Sequence, residues 1–194
     1  MVPCARKESF FYERHGVSVQ DNYAWLKDNN WQEGIKNPSI LKQEIIDYLT
    51  EENLYANSVL ANTEDLKAEL YGEMKGRIKS DDSSVPLVDG NFLYSQRFFK
   101  QGQHPNFCRR ENHSSKEQII INGDLEAKPH NFYKFGAVKH SPNHQIMAYA
   151  TDVKGSETYS IRFRVIETGV DLDDVIEDVN GNFQWSNDSK SIIY

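Results

Sequence analysis

Two kinds of hydrophobic pattern divide this chain, and each predicts a different secondary structure. In the N-terminal part apolar residues recur every three to four positions, whereas in the C-terminal part they alternate with polar residues in short runs. The strictest alternation covers Tyr159–Val165, and a period of two is typical of a half-buried β-strand. Two further apolar runs begin at Phe135 and at Ile146, with turn residues between them. The C-terminal part is therefore predicted to be a series of short strands.

The strand pattern returns at a fixed spacing. Ser141 lies 45 positions before Ser186, and Tyr149 lies 45 positions before Tyr194. A repeat of about 40–45 residues built from short strands is the period of a β-propeller blade. The pair Asp89-Gly90 lies between alternating apolar residues and predicts a hairpin. We predict one blade over about 85–125, a second over about 133–170, and a third that starts near 180.

Helical spacing dominates the segment between Pro38 and Ile78. Ser39 is placed to cap a first helix, and Thr63 is placed at the start of a second. We expect an antiparallel helix pair or one long bent helix. The apolar stripe is expected to be core rather than a cofactor contact. It consists of Leu41, Ile45, Tyr48, Leu49, Tyr55, Val59, Leu60, Leu66, Leu70, Met74 and Ile78.

Residues 8–31 are rich in aromatic side chains but have no clean period. This segment is predicted to be an arm that lies on another surface rather than a unit that folds alone. Within it, the run DNYAWLKD predicts a short helical turn that buries Tyr23, Trp25 and Leu26. The period changes from helix to strand after the polar run Lys79-Ser80-Asp81-Asp82-Ser83-Ser84. We therefore predict a helical arm over residues 1–79 and a partial propeller over 80–194, in an α+β fold that is mainly β.

Composition excludes several classes of function. The net charge is −7 and neither half of the chain is basic, so we expect no nucleic-acid partner. No run of about 18 apolar residues is present, so no membrane span is expected. The N-terminus lacks the apolar segment of a signal peptide, and Cys4 and Cys108 make neither a disulfide framework nor a zinc motif. We expect a cytoplasmic protein with two structural thiols.

The chain shows no recognisable catalytic motif. A hydrolase nucleophile on a sharp strand-to-helix turn needs G-x-S-x-G. Ser18 has a glycine two positions before it but Gln20 two positions after it, and Gly155-Ser156-Glu157 lacks the pattern. Asp171, Asp173 and Asp174 lack the glycine and terminal glutamate of a calcium loop.

The remaining polar candidates are weaker still. His140 and His144 flank the turn Ser141-Pro142-Asn143, so we expect them to point to solvent rather than to bind a metal. Asp82, Asp152 and Glu157 are expected to be surface charges rather than residues facing a substrate cavity. We therefore predict no catalytic, cofactor-binding or metal-binding residue in this chain, and no cofactor.

Several segments together resemble a known family. They are DNYAWLKD, EMKGRIKSDDSSVP, FGAVKHSPN, AYATDVKGSETYSIRFR and FQWSNDSKSIIY. In this order they are similar to the N-terminal part of the oligopeptidase B group, within the prolyl oligopeptidase family of serine peptidases. The resemblance runs from about Glu8 to Tyr194.

The resemblance implies a helical arm, a seven-bladed propeller and an α/β-hydrolase domain with a Ser-Asp-His triad. It also implies cytoplasmic cleavage of short peptides after Arg or Lys, without a cofactor, with the propeller filtering substrates.

By that resemblance the triad, the oxyanion hole and the acidic residues that hold a basic substrate side chain lie beyond Tyr194. We expect an incomplete propeller of about two and a half blades without the hydrolase domain, inactive alone and marginally stable because Ser191–Tyr194 forms an open apolar edge. A second polypeptide that supplies the remaining blades and the hydrolase domain is the expected partner, with short basic peptides as substrates. The alternatives are a non-catalytic propeller that binds other proteins and a gene remnant without a role.

Overall fold

The computed structural model describes residues 1–194, except for the side chain of Lys36. These residues separate into two compact units, Met1–Ile78 and Lys79–Tyr194. Helices dominate the first unit and antiparallel sheets the second. The predicted class, mainly β with an N-terminal helical arm, is therefore confirmed.

The first unit begins with a hairpin that the hydrophobic pattern did not predict. Strand β1 (Phe10–Arg14) pairs antiparallel with β2 (Val17–Asp21), and the turn between them places His15 and Gly16 at φ 53° and 76°. All of β1 is exposed and only part of β2 is half-buried, so neither strand has the buried face that creates alternation. The sequence therefore carried no period to read.

The helical turn predicted from DNYAWLKD is present, but its burial is only partly as expected. A 3-10 turn covers Ala24–Leu26 and the helix α1 covers Trp31–Lys36. Trp25 and Leu26 are half-buried, whereas Tyr23 is exposed. Trp25 donates its indole N–H to the carbonyl of Arg6 at 2.8 Å. The turn therefore secures the N-terminal segment of this unit.

The cap predicted at Ser39 is wrong. A 3-10 turn covers Pro38–Ile40, and the side chain of Asn37 accepts from the backbone N–H of Ser39. Leu41 then takes an extended conformation, which interrupts the helical backbone, and the helix α2 begins only at Gln43. The residue before the proline thus supplies the cap, and Ser39 lies inside the turn.

The two long helices follow one another almost without a break. Helix α2 covers Gln43–Leu60, a 3-10 turn covers Ala61–Thr63, and α3 covers Glu64–Gly76. The residues at both junctions keep right-handed helical angles. Of the two arrangements left open by the sequence, the structure has the single long helical run.

The apolar stripe on this helical run is not a core within its unit. Ile45 is buried, but Leu66, Leu70 and Met74 are exposed. The prediction of a core is therefore wrong for these residues. Helical periodicity reports that a face is apolar and does not report that a second surface covers it.

The first sheet of the second unit contains five strands. Both β3 and β4 pair with the same strand, β5, so they act as one outer strand interrupted around Pro86. The hairpin predicted at Asp89-Gly90 is confirmed, with Asp89 opposite Phe92 and Gly90 at φ 55°. The strands are β3 (Asp82–Ser83), β4 (Leu87–Asp89), β5 (Phe92–Phe98), β6 (Asn106–Glu111) and β7 (Gln118–Asn122), followed by the short helix α4 (Gly123–Ala127).

The second sheet is a four-stranded antiparallel meander, and it is longer than predicted. The predicted blade ended near residue 170, but the sheet continues through a fourth strand, β11. Five of the nine residues of β11 are acidic, so the strand has no apolar alternation by which it could be predicted. Acidic residues also suit the exposed edge of a sheet. The strands are β8 (Lys134–His140), β9 (Ile146–Asp152), β10 (Tyr159–Val165) and β11 (Asp171–Val179). A last hairpin joins β12 (Gln184–Trp185) and β13 (Ile192–Ile193).

The strand β9 shows how the sheets stack. Met147 and Tyr149 pack into a cluster with Phe107 and other residues of the first sheet, whereas Ala148 and Ala150 face Trp185 and its neighbours. Because successive side chains of a strand point to opposite faces, β9 is buried on both sides. The second sheet therefore lies between two others, as a propeller blade does.

The repeat of 45 residues is visible in the hydrogen bonds of two turns. The N–H of Ser141 donates to the carbonyl of Ile146 at 2.7 Å, and the N–H of Ser186 donates to that of Ser191 at 2.9 Å. In each turn the serine hydroxyl also accepts a hydrogen bond from the backbone N–H of the residue five positions later. Ile146 donates to Ser141 at 3.0 Å, and Ser191 donates to Ser186 at 3.1 Å. The repeat therefore reports identical local structure.

Candidate functional site: a groove between the blades

A groove of about 690 Å³ opens where the first strands of three successive sheets come together. We call it the inter-blade groove. Its wall includes Val88 and Asp89 from β4, Lys139 and His140 from β8, and Trp185 from β12. The first strand of a propeller blade faces the central channel, so this groove is a candidate part of the channel wall.

Two of the histidines form an aromatic stack at the edge of this groove. His140 lies on Tyr94 with ring centroids 3.9 Å apart, and His144 lies 5.1 Å from His140. The Tyr94 hydroxyl and His144 Nδ1 are 3.0 Å apart. The expectation that both histidines point to solvent is therefore wrong. It failed because the turn that they flank packs against β4 and β5, which are 50 or so residues earlier in the chain.

An acidic side chain completes this group. Asp89 Oδ2 lies 3.4 Å from His140 Nε2, and one ligand atom each from Asp89, His140 and His144 lies within 4.8 Å of the other two. Gly90 gives His144 room, because a Cβ there would come within 2.8 Å of His144 Nε2. We call Asp89, His140 and His144 the histidine–aspartate cluster. It joins the first sheet to the second.

Arg109 holds the same junction from the other side. Its Nη1 donates to the carbonyl of His144 at 2.9 Å, its Nε donates to Gln118 at 2.9 Å, and its guanidinium lies 4.4 Å from the Phe92 ring. Burial and the nearby His140 lower the pKa of His144. The cluster therefore sits in a partly desolvated environment that favours a neutral imidazole at His144.

The free thiols do not provide a nucleophile. Cys108 lines the groove but is buried, and burial raises the pKa of its thiol to about 11. A thiol with that pKa is almost wholly protonated near neutral pH and is therefore unreactive. Cys4 is exposed and lies in the first unit. The structural role expected for Cys108 agrees with its burial.

Asp152 is neither a surface charge nor a cavity residue, contrary to expectation. It is buried and accepts hydrogen bonds from the backbone N–H groups of Lys154, Gly155 and Glu157 at 2.8–2.9 Å. Burial alone would raise the pKa of Asp152, but these donors outweigh it and lower the pKa. Asp152 therefore organises the loop between β9 and β10. Asp82 and Glu157 are exposed.

A second polar network lies between α4 and the second sheet. Arg164 donates to Asp171 at 2.6 and 2.9 Å and to Glu126 at 2.9 Å, and Tyr149 donates to Asp171 at 2.8 Å. Burial would lower the pKa of Arg164, but these hydrogen bonds raise it; burial would raise the pKa of Asp171, but Arg164 lowers it. Asp171 thus serves as an ion-pair partner and not as a calcium ligand.

Two serines show where candidate hydroxyl groups lie in the described residues. Ser18 lies in the exposed strand β2, and Ser141 has its hydroxyl bonded within a turn, to Asn143 at 2.7 Å. Sequence reasoning missed Asp89, Tyr94 and Arg109, because no local pattern shows which sheet will face a given hairpin.

No helix among the described residues is long and apolar enough to cross a membrane.

Antiparallel sheets of four strands that repeat along the chain, each stacked on the next, define a β-propeller. The family described as "Prolyl oligopeptidase, N-terminal beta-propeller domain" matches residues 3–194. The chain therefore belongs to the prolyl oligopeptidase family, as its N-terminal propeller portion.

Relatives and solved structures agree with this assignment. Dipeptidyl aminopeptidase BI of Pseudoxanthomonas mexicana is 28% identical over 206 residues, which cover 98% of this chain and 27% of that protein. Protease 2 of Moraxella lacunata is 25% identical over 201 residues, covering 100% of this chain and 28% of that protein. This chain thus spans about a quarter of the length of these relatives.

Oligopeptidase B enzymes are among the solved structures with a similar fold. The structure of oligopeptidase B from Leishmania major has a TM-score of 0.80 and 25% identity, covering 95% of this chain and 27% of that one. Oligopeptidase B from Trypanosoma brucei with covalently bound antipain, in its closed form, has a TM-score of 0.78 and 26% identity, with the same coverage.

Proposed function

We propose that this chain is the arm and first blades of a serine-type peptidase that cleaves short peptides after Arg or Lys, and that these 194 residues alone do not hydrolyse peptides. The observation that carries the proposal is the family match over residues 3–194, together with the absence of G-x-S-x-G from the sequence. A propeller blade filters and binds, whereas the covalent chemistry of this family requires a nucleophile that these residues do not contain.

The charge of the chain supports a preference for basic peptides. Its net charge is −7, and this support comes from the chain as a whole, because Lys139 lies beside Asp89 in the groove wall. A surface with one sign of charge raises the local concentration of ligands with the opposite sign. The two solved neighbours named oligopeptidase B support the same choice.

The proposed enzyme needs further protein sequence. A propeller ring has about 4–8 blades, and the described residues supply two sheets and one hairpin. In this proposal, protein sequence outside these 194 residues supplies the rest of the ring and the hydrolase domain. The experiment below tests whether a second polypeptide carries them. The proposed location is the cytoplasm, supported by two cysteines that form no disulfide.

Capture of the chain from its native cells tests the proposal. The chain is tagged and purified, and bound polypeptides are identified by mass. The isolated chain and the captured complex are then compared with a fluorogenic Arg-Arg peptide, a matched peptide with Glu in place of both arginines, and an active-site serine probe. Fractionation of the same cells locates the chain.

We expect no hydrolysis and no probe labelling with the isolated chain. In the complex we expect the probe on a polypeptide that carries G-x-S-x-G, and hydrolysis of the Arg-Arg peptide only. Hydrolysis by the pure chain would contradict the proposed inactivity, and equal hydrolysis of both peptides would contradict the basic preference. Capture of proteins without a hydrolase domain would instead indicate a non-catalytic binding module.

A further inference from the structure

Within the histidine–aspartate cluster, a hydrogen bond from a neutral imidazole does not explain the contact between His140 and Asp89. His140 Nδ1 lies 3.1 Å from the carbonyl oxygen of Ser141, which can only accept a hydrogen bond. Nδ1 therefore carries the proton, and Nε2 of the neutral ring carries a lone pair. That lone pair faces Asp89 Oδ2 at 3.4 Å, so two acceptors oppose each other unless a cation lies between them.

We propose that Asp89, His140 and His144 bind a divalent transition-metal ion of the zinc class, which joins the first two blades. Two imidazoles and one carboxylate are a common ligand set for zinc. Ligands about 2.0–2.2 Å from a tetrahedral ion are about 3.4 Å apart. The separation between Asp89 and His140 matches that value.

The third ligand needs a small adjustment. The candidate ligand atoms of the cluster lie within 4.8 Å of one another, so a shift of at most about 1.5 Å at the His144 ring closes the site. Tyr94 orients that ring, because its hydroxyl lies 3.0 Å from His144 Nδ1 and can accept a hydrogen bond from the Nδ1–H group. The lone pair of His144 Nε2 is then available for the metal. Such outer partners orient metal-bound histidines in many proteins.

The surroundings agree with a site of this kind. His140 is held by its stacking on Tyr94. Arg109 donates to the His144 carbonyl and lies over the Phe92 ring, and its positive charge also acts on the His144 imidazole, so an ion at this site must outweigh that repulsion. Asp89 lies on β4 and the histidines flank the turn after β8, so the ligands come from two sheets. An ion bound there therefore stabilises the stacking of the sheets, because it binds the folded state and not the separated strands.

Zinc titration of the full chain tests the site. Binding is measured by competition with a chromophoric chelator, and the midpoint of thermal unfolding is followed with zinc and with EDTA. The exposed Cys4 can bind zinc by itself, so each protein is also made with Cys4→Ser. The variants are His144→Ala and Asp89→Asn, and the matched control is His113→Ala, an exposed histidine of the same unit.

We expect one zinc ion per chain, and a midpoint raised by several degrees at a zinc concentration about 100 times Kd. His144→Ala and Asp89→Asn should each weaken zinc binding at least about 10-fold, and His113→Ala should leave it unchanged. Tyr94→Phe keeps the ring stack and should weaken binding about 10-fold as well. Co²⁺ should give visible absorption bands that disappear in His144→Ala.

Two results would overturn the proposal. One is the absence of zinc binding in the Cys4→Ser protein, which would leave a proton as the cation between His140 and Asp89. The other is zinc binding that persists unchanged in both His144→Ala and Asp89→Asn. If either variant fails to fold, Tyr94→Phe and the cobalt spectrum of the unaltered chain decide the question.

Discussion

Ile161 in β10 and Leu66 in α3 come from equally regular apolar patterns, yet Ile161 is 0% exposed and Leu66 is 55% exposed. In the blades each sheet has another sheet against it, so alternation translates into burial on one or both faces. In the helical run only Ile45 is buried among the stripe residues. Periodicity therefore specifies which face of a helix or strand is apolar. Whether that face stabilises its unit depends on whether another surface of the same unit packs against it.

The first test compares these two positions directly. Ile161→Ala removes buried methyl groups and leaves a cavity, so we expect a loss of about 2–5 kcal/mol in the free energy of unfolding. Leu66→Ala should change it by about 0.5 kcal/mol or less, because the side chain is already in water. Urea denaturation followed by circular dichroism measures both. Equal losses at the two positions would mean that the helical face is covered in solution.

Charged groups differ between the units in the same way. Arg164 joins Asp171 and Glu126 in a half-buried network, and replacing it by Met leaves two carboxylates close together without a cation. We expect Arg164→Met to cost about 1–3 kcal/mol, less than a fully buried pair because the partners retain some solvent. Arg77→Met, which removes the exposed pair with Glu73 on α3, should have no measurable effect. Similar losses in both variants would contradict this reading.

Two glycines should respond in opposite directions. A Cβ on Gly136 would lie 2.5 Å from the carbonyl oxygen of Gly181, so Gly136→Ala must force the β8 backbone away from the last hairpin, at a cost of about 1–3 kcal/mol. Gly72 lies inside α3 with nothing within 4 Å of an added Cβ. Gly72→Ala should stabilise the helix by about 0.5–1 kcal/mol. Thermal and urea unfolding report the signs, and a gain at Gly136 would refute the close packing.

The smallest effect concerns acid stability. The pKa of Asp152 in the folded chain is below its ordinary value of 3.8, so its contribution is present above that value and is lost as pH falls through the lower folded pKa. Asp152→Asn should therefore cost about 1–2 kcal/mol at pH 7 and show a shallower loss of stability below about pH 4. Asp173→Asn, an exposed residue of β11, is the matched control. Parallel pH curves for Asp152→Asn and the unaltered chain would contradict the assignment.

Much of the fold could be predicted from the sequence because its determinants are local. The alternation in Tyr159–Val165, the Asp89-Gly90 turn and the 45-residue spacing from Ser141 to Ser186 each act over a few neighbouring residues, and each has its predicted structure. The exceptions also have local reasons. The hairpin β1–β2 lacks a buried face, and the acidic strand β11 lacks an apolar pattern.

The site depended on contacts that no local pattern contains. Asp89 and His144 are 55 positions apart and meet because two sheets stack, and Asp152 is buried because a loop folds its N–H groups onto the carboxylate. Sequence alone thus indicated most of the blade strands, the long helices and the family, but not the hairpin β1–β2 or the strand β11. The stacking of sheets decided which of the polar residues became a cluster, an ion pair or a loop anchor, because burial and distance arise only when separate segments pack together.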